Sequence, residues 1–195
     1  MKRMLMLAVA LLLALPQIAE AKSKKGPGCL LPNADTTLHG ITLGDYRSTQ
    51  RVLGRDRRGA ADNPDTDFPW YAFVSRDGRQ VMRLRRHAGD VLDSYLEFEV
   101  RRGPDPKAIP LEADRFVSGK GVRLGLTRKD IVALFGPCFT ASRNGKTETL
   151  RYEVAEDTDK PNSPVLKAAN MPQYYAEYEF EHGRLVRFTF GHEPV

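Results

Sequence analysis

Apolar and polar residues alternate with a period of two over much of this chain, which predicts strands with one buried and one wet face. Leu150, Tyr152 and Val154 alternate with Arg151 and Glu153. Tyr174, Ala176, Tyr178 and Phe180 alternate with Tyr175, Glu177 and Glu179. In the run 184–191 the inward set is Val186, Phe188 and Phe190. Earlier, Leu96, Phe98 and Val100 alternate with Tyr95, Glu97 and Glu99 in a strand over 91–101. Residues 70–74 are aromatic and β-branched, and Asp77-Gly78 turns them into a partner strand over 80–85. Gly89-Asp90, Asn144-Gly145 and His182-Gly183 mark further turns, while 55–67 and 157–164 read as loops.

Two stretches leave this rhythm for helical spacing. Within 118–138, Thr127 is an N-cap, Asp130 takes the capping-box position, and Leu126 with Ile131 makes a hydrophobic staple. Ile131, Leu134 and Phe135 share a face, and Gly136-Pro137 ends the helix. Segment 39–54 repeats the pattern. Gly40, Leu43 and Gly44 match Gly121, Leu124 and Gly125. With one residue deleted, Asp45 falls on Thr127, and Thr49, Val52, Leu53 and Gly54 fall on Ile131, Leu134, Phe135 and Gly136. Self-similarity at a fixed offset points to internal duplication, with a degenerate first copy in which Thr49 replaces an apolar contact. The expected fold is α+β: two tandem repeats, each with short helices packed on one face of a three- to four-stranded antiparallel sheet. The expected boundaries are a signal peptide over 1–21, an N-terminal arm over 22–37, a first repeat over 38–103, a proline-rich linker over 104–117 and a second repeat over 118–195.

The first residues set the expected compartment. Lys2 and Arg3 precede an apolar run from Met4 to Leu15, and Ala19-Glu20-Ala21 fits a cleavage site, the pattern of a secretory signal cut after Ala21. The apolar run is too short to span a bilayer as a mature helix. A periplasmic or secreted protein is expected. In an oxidising compartment the two cysteines, Cys29 and Cys138, are expected to form a disulfide, with lipid attachment at Cys29 as the competing role. The formal charge is +5, but Arg and Lys are interleaved with Asp and Glu, which argues against a nucleic-acid stripe. Lys22, Lys24 and Lys25 form the one basic cluster; it offers at most weak contact with a membrane surface, and a solubilising tail is the plainer reading.

No serine-nucleophile elbow, phosphate-cradling glycine loop or H-E-x-x-H spacing is present in the sequence, and His39, His87, His182 and His192 lack ligand spacing. The acidic run 62–67 lacks the glycine and closing glutamate of a calcium loop. No cofactor, metal or catalytic residue is therefore expected. If helices cover one sheet face, Tyr95, Glu97, Glu99, Arg151, Glu153, Tyr175, Glu177, Glu179 and Arg187 line the other. Tyrosine and arginine set among charges match the composition of interface anchors. An ordinary wet antiparallel face accounts for the same residues without any partner.

The run Gly121, Gly125, Thr127, Ile131 and Gly136-Pro137, followed by an aromatic antiparallel meander, resembles the outer-membrane small lipoprotein family (SmpA/OmlA, BamE-like). The tandem arrangement is similar to that of the beta-lactamase inhibitory proteins. The resemblance implies an envelope protein that works by binding other proteins and carries over no catalytic residues. Inhibitor status does not carry over, because the partner-contacting residues of that group are not part of the shared motif. The expected role is that of an envelope accessory or inhibitor-like protein using the open sheet face. The chain departs from single-domain members in having two copies of the motif and no convincing lipid-attachment cysteine. The rival from another class is an envelope hydrolase or carbohydrate-processing enzyme that uses the sheet carboxylates. A stability module with no strong ligand is the third reading.

Overall fold

A computed structural model of the chain describes residues 31–54, 67–86, 94–155, 163–169 and 171–192. The expected signal peptide, Lys22, Lys24, Lys25, Cys29, the loop over 55–66, His87 and the Gly89-Asp90 turn lie outside the described residues.

The elements run β1 (Thr37–Leu38), β2 (Ile41–Thr42), α1 (Tyr46–Leu53), β3 (Trp70–Val74), β4 (Gln80–Arg86), β5 (Tyr95–Arg102) and β6 (Ile109–Pro110). There follow α2 (Arg128–Phe135), β7 (Thr140–Asn144), β8 (Thr147–Ala155), α3 (Pro164–Ala169), β9 (Gln173–Glu181) and β10 (Arg184–Gly191). The fold is α+β. Strands β3 to β10 do not form two small sheets, as the sequence pattern suggested, but one eight-stranded sheet in the order β6-β3-β4-β5-β10-β9-β8-β7, while β1 and β2 pair as a separate two-stranded ribbon. Two antiparallel meanders, β3-β4-β5 and β7-β8-β9-β10, meet through their last strands, with Phe188 opposite Val100 and Phe190 opposite Phe98. The Phe98 and Phe190 rings meet edge-on at 5.5 Å, so the apolar side of this seam is packed rather than merely hydrogen-bonded. Two elements were not expected. β6 lies in the proline-rich linker and pairs in parallel with β3, and α3 follows Ser163.

Both expected helices form as their caps dictate. Asp45 caps α1 by accepting from the Arg47 and Ser48 backbone N–H groups at 3.0 and 3.3 Å. At α2 the Thr127 hydroxyl accepts from the Asp130 N–H at 3.3 Å while the Asp130 carboxylate accepts from the Thr127 N–H at 2.8 Å, a reciprocal box. Glycines with positive φ, Gly54 and Gly136, end them. Ile131 is fully buried, and Thr49, at the matching position of α1, is buried too, with its hydroxyl donating to the Asp45 carbonyl. The helices, Leu38 of β1, Ile41 of β2 and the loop residues Phe116 and Val122 cover the sheet face bearing Phe73, Leu84, Phe98, Tyr152, Tyr178, Phe180 and Phe188.

Two bulges correct the expected alternation. In β5, Arg85 pairs with Glu97 but Arg86 pairs with Tyr95, so Leu96 is the extra residue. The extra residue reverses the parity upstream and turns Tyr95 onto the helix-covered face, where its ring meets Tyr71 at 6.0 Å. In β10 the register shifts between Leu185 and Arg187. Leu185 becomes the buried member there, and Val186 is only half-buried.

Candidate interface on the open sheet face

The face opposite the helices is organised by register. One row reads Trp70, Arg85, Glu97, Gly191, Tyr175 and Glu153 across β3, β4, β5, β10, β9 and β8. The next reads Arg83, Glu99, Thr189, Glu177 and Arg151, and the third Arg101, Arg187, Glu179 and Thr149. Opposite charges therefore stand on neighbouring strands, close enough for cross-strand pairing.

Two glutamates anchor this lattice from beneath. Glu99 is 2 % exposed and has guanidinium groups on three sides: Arg83 at 3.3 Å, Arg101 at 3.6 Å and Arg187 at 2.7 Å. Glu97 is 3 % exposed and takes Arg85 at 2.9 Å together with the hydroxyl of Tyr175. Carboxylates this deeply covered persist as charges only when paired in this way. In register, Gly191 lies between Tyr175 and Glu97, and the tyrosine ring reaches across β10 to the glutamate. A Cβ at Gly191 would press on the Leu96 carbonyl and come within 2.6 Å of the Glu97 Cα. Burial, then the neighbouring Glu97 charge and the hydrogen bond to it, raise the Tyr175 pKa, so this hydroxyl keeps its proton and donates.

Above the buried glutamates lie planar groups. The guanidinium carbons of Arg83 and Arg85 sit 4.8 and 4.5 Å from the Trp70 ring centroid, and that of Arg151 sits 4.6 Å from the Tyr175 ring. Arg151 also pairs with Glu177 at 2.7 Å and Glu153 at 3.1 Å, and Arg187 with Glu179 at 3.0 Å. Burial raises the Glu179 pKa against the pull of Arg187, helped by repulsion from Glu177, Glu99 and Glu181.

Of the sequence-predicted face residues, Glu97, Glu99, Arg151, Glu153, Tyr175, Glu177, Glu179 and Arg187 share this surface, and Tyr95 does not. Trp70, Arg83, Arg85 and Arg101 belong to it and were missed. Their signal was the same alternation, since Arg83 and Arg85 flank the buried Leu84 and Trp70 pairs with Arg85. Cys138 is disulfide-bonded, and Cys29 lies outside the described residues.

Other polar groups serve the fold. Asp35 is buried, which raises its pKa; it accepts from the Lys120 N–H at 3.1 Å, and its carbonyl accepts from the Tyr174 hydroxyl at 2.7 Å. An open depression of about 580 Å³ lies between the Asp77-Gly78 turn and Arg102-Gly103-Pro104. Its Asp77 is held below the usual carboxylate range by the Arg79 N–H and the Ser75 hydroxyl, so it acts as an acceptor within its own turn. Comparison with protein-family models, curated proteins and solved structures returns no match.

Proposed function

We propose that this chain is an exported, periplasmic or secreted, non-enzymatic protein-binding module, an envelope accessory or inhibitor-like protein that uses the open sheet face. We propose also that it arose as two tandem repeats, as its resemblance to the small lipoprotein and inhibitory-protein families implies. Support for duplication comes from the order of elements. A capped helix precedes each meander, and the two meanders meet through corresponding last strands.

The observation that carries the binding role is the lattice itself. It spans six adjacent strands, β3, β4, β5, β10, β9 and β8, and holds several arginines by ion pairs to buried glutamates, Tyr175 by its hydrogen bond to Glu97, and Trp70 under the Arg83 and Arg85 guanidinium groups. Aromatic and arginine side chains whose rotamers are already fixed lose little entropy on docking, the property expected of interface anchors. The broad open surface suits a macromolecule better than a small substrate, which needs a concave pocket.

The raised Glu179 pKa is the one observation that favours the hydrolase reading, since a general acid must hold its proton. Against it, Glu179 and its neighbour Glu177 are both engaged by arginines on an open face. Affinity capture of extracytoplasmic proteins tests the choice. Arg151→Glu with Arg187→Glu on the face should lose proteins that the wild type and the helix variant Lys129→Glu both retain. Equal recovery by all three removes the binding role assigned to this face.

A further inference from the structure

The two edges of the eight-stranded sheet are finished differently. At one, β6 is two residues long and ends in Pro110, which has no N–H to offer. At the other, β7 (Thr140–Asn144) runs in unbroken register with β8 and carries no proline and one charge. Ser142, Arg143 and Asn144 are exposed. In an antiparallel pair only alternate residues turn their N–H and C=O towards a given neighbour. The two-residue turn at 145–146 makes Asn144 and Thr147 a bonded pair, so Asn144, Ser142 and Thr140 bond β8. Ala141 and Arg143 then direct their backbone groups out of the sheet, and no strand among the described residues lies beyond them.

On the helix-covered side, Ala141 and Arg143 stand opposite Leu150 and Glu148. Phe139 is there too: its ring packs on Tyr152 at 5.6 Å and lies 5.1 Å from the guanidinium carbon of Arg128 on α2. Phe139 and Ala141 are only half-buried, which leaves an apolar strip beside Arg143. Glu148 is taken by Arg128, at 3.1 Å. Arg143 and Lys146 are exposed cations that form no ion pair among the described residues. We propose that the β7 edge takes an extended, acidic segment of a partner protein as an added strand. Its backbone completes the hydrogen bonds of Ala141 and Arg143. One of its carboxylates stands opposite Arg143, and an apolar side chain two residues away stands opposite Ala141, beside Phe139. Charge complementarity selects this occupant, since a lysine opposite Arg143 would be repelled. A second copy fits less well. The symmetric pairing that uses every outward group, centred on Ser142, sets the two Arg143 side chains diagonally adjacent on one face. This edge is separate from the open face and does not rest on the role proposed for it.

The test is amide hydrogen exchange of the full chain, read residue by residue by nuclear magnetic resonance, with three synthetic peptides of equal length. One sets a glutamate two residues from a valine in a run of threonines. The second has lysine in place of the glutamate, and the third keeps the glutamate but is N-methylated on the alternate amides that would face β7. The glutamate peptide should slow exchange at Ala141 and Arg143 saturably, leave Asn144 as it is, and bind less tightly as salt rises. The lysine peptide should bind about fivefold or more weakly, and the N-methylated one should not bind. Ala141→Pro removes an outward N–H that β8 does not use, so it should keep the sheet, as far-ultraviolet circular dichroism and the melting temperature would show, and lose the peptide. Arg143→Glu should reverse the preference between the glutamate and lysine peptides, a readout that stands even if the proline variant fails to fold. Equal binding of the glutamate and lysine peptides overturns the acidic occupant. So does unchanged exchange with every peptide, or a folded Ala141→Pro protein that binds undiminished. Protection of Ala141 and Arg143 without peptide, rising with protein concentration, gives the edge to a second copy and overturns it too.

Discussion

Two tyrosines three residues apart in β9, one on each face of the sheet, show how differently a hydroxyl can matter. The Tyr175 hydroxyl donates to the buried Glu97 carboxylate, so Tyr175→Phe leaves that carboxylate short of a donor and should lower stability by about 1–3 kcal/mol. The Tyr178 hydroxyl is buried without a partner, so Tyr178→Phe should be neutral or slightly stabilising. Urea midpoints of the two variants decide this, and equal losses would contradict the described geometry. His192 supplies the pH dependence. Its Nδ1–H donates to the Gln173 carbonyl at 2.7 Å, and its Nε2 is buried without a partner. Burial lowers its pKa below the ordinary value of 6.5. As pH falls below 6.5 the unfolded chain takes this proton first, so stability is full above that pH and is lost as pH falls towards the folded pKa. His39, also lowered by burial, acts in the same direction. His192→Gln should flatten the decline in stability measured between neutral and mildly acidic pH; an unchanged slope would assign it elsewhere.

At the scale of elements, the caps and the strands differed in how readable they were. Thr127, Asp130 and Gly136 announce α2 because capping is local: the partners lie within a few residues and the geometry is a matter of short-range hydrogen bonds. Thr127→Ala should accordingly cost about 1 kcal/mol, read from thermal or urea unfolding. Strand faces follow from alternation only while no residue is inserted. Through β8 and β9 the register is unbroken, and Glu153, Tyr175, Glu177 and Glu179 lie on the face that alternation assigns them. In β5 the bulge at Leu96 turns Tyr95 to the opposite side, and in β10 the register shift makes Leu185, not Val186, the buried residue. The bulge arises where β5 pairs with β4, with Arg85 opposite Glu97 and Arg86 opposite Tyr95, and the Leu96 carbonyl accepts from the His192 N–H at 2.9 Å on the other side; it depends on strand neighbours, so no local pattern in 91–101 encodes it. The face residues missed in β3 and β4 were legible by the same alternation. Their assembly with Glu97 and Glu99 was not, because it depends on which strands become neighbours.

The whole molecule turns on the β5–β10 seam. It makes one sheet of two meanders, sets Phe98 on Phe190 beneath, and brings Arg187 of one meander onto Glu99 of the other above. A core and a charge lattice that both cross the seam should unfold together. Trp70 emission, which reports the first meander, and near-ultraviolet tyrosine signals, dominated by the second, should give coincident urea transitions; separated midpoints would mean two independent units. The same continuity makes the open face a single rigid platform rather than two small ones. Its proposed role is tested most directly by placing a photo-crosslinking residue at Arg101, at Glu153, or at Lys129 on the exposed side of α2, in cells that make the full chain. The account predicts adducts with a protein partner from Arg101 and Glu153 and none from Lys129. Adducts from Lys129 alone, or from no position, would contradict it.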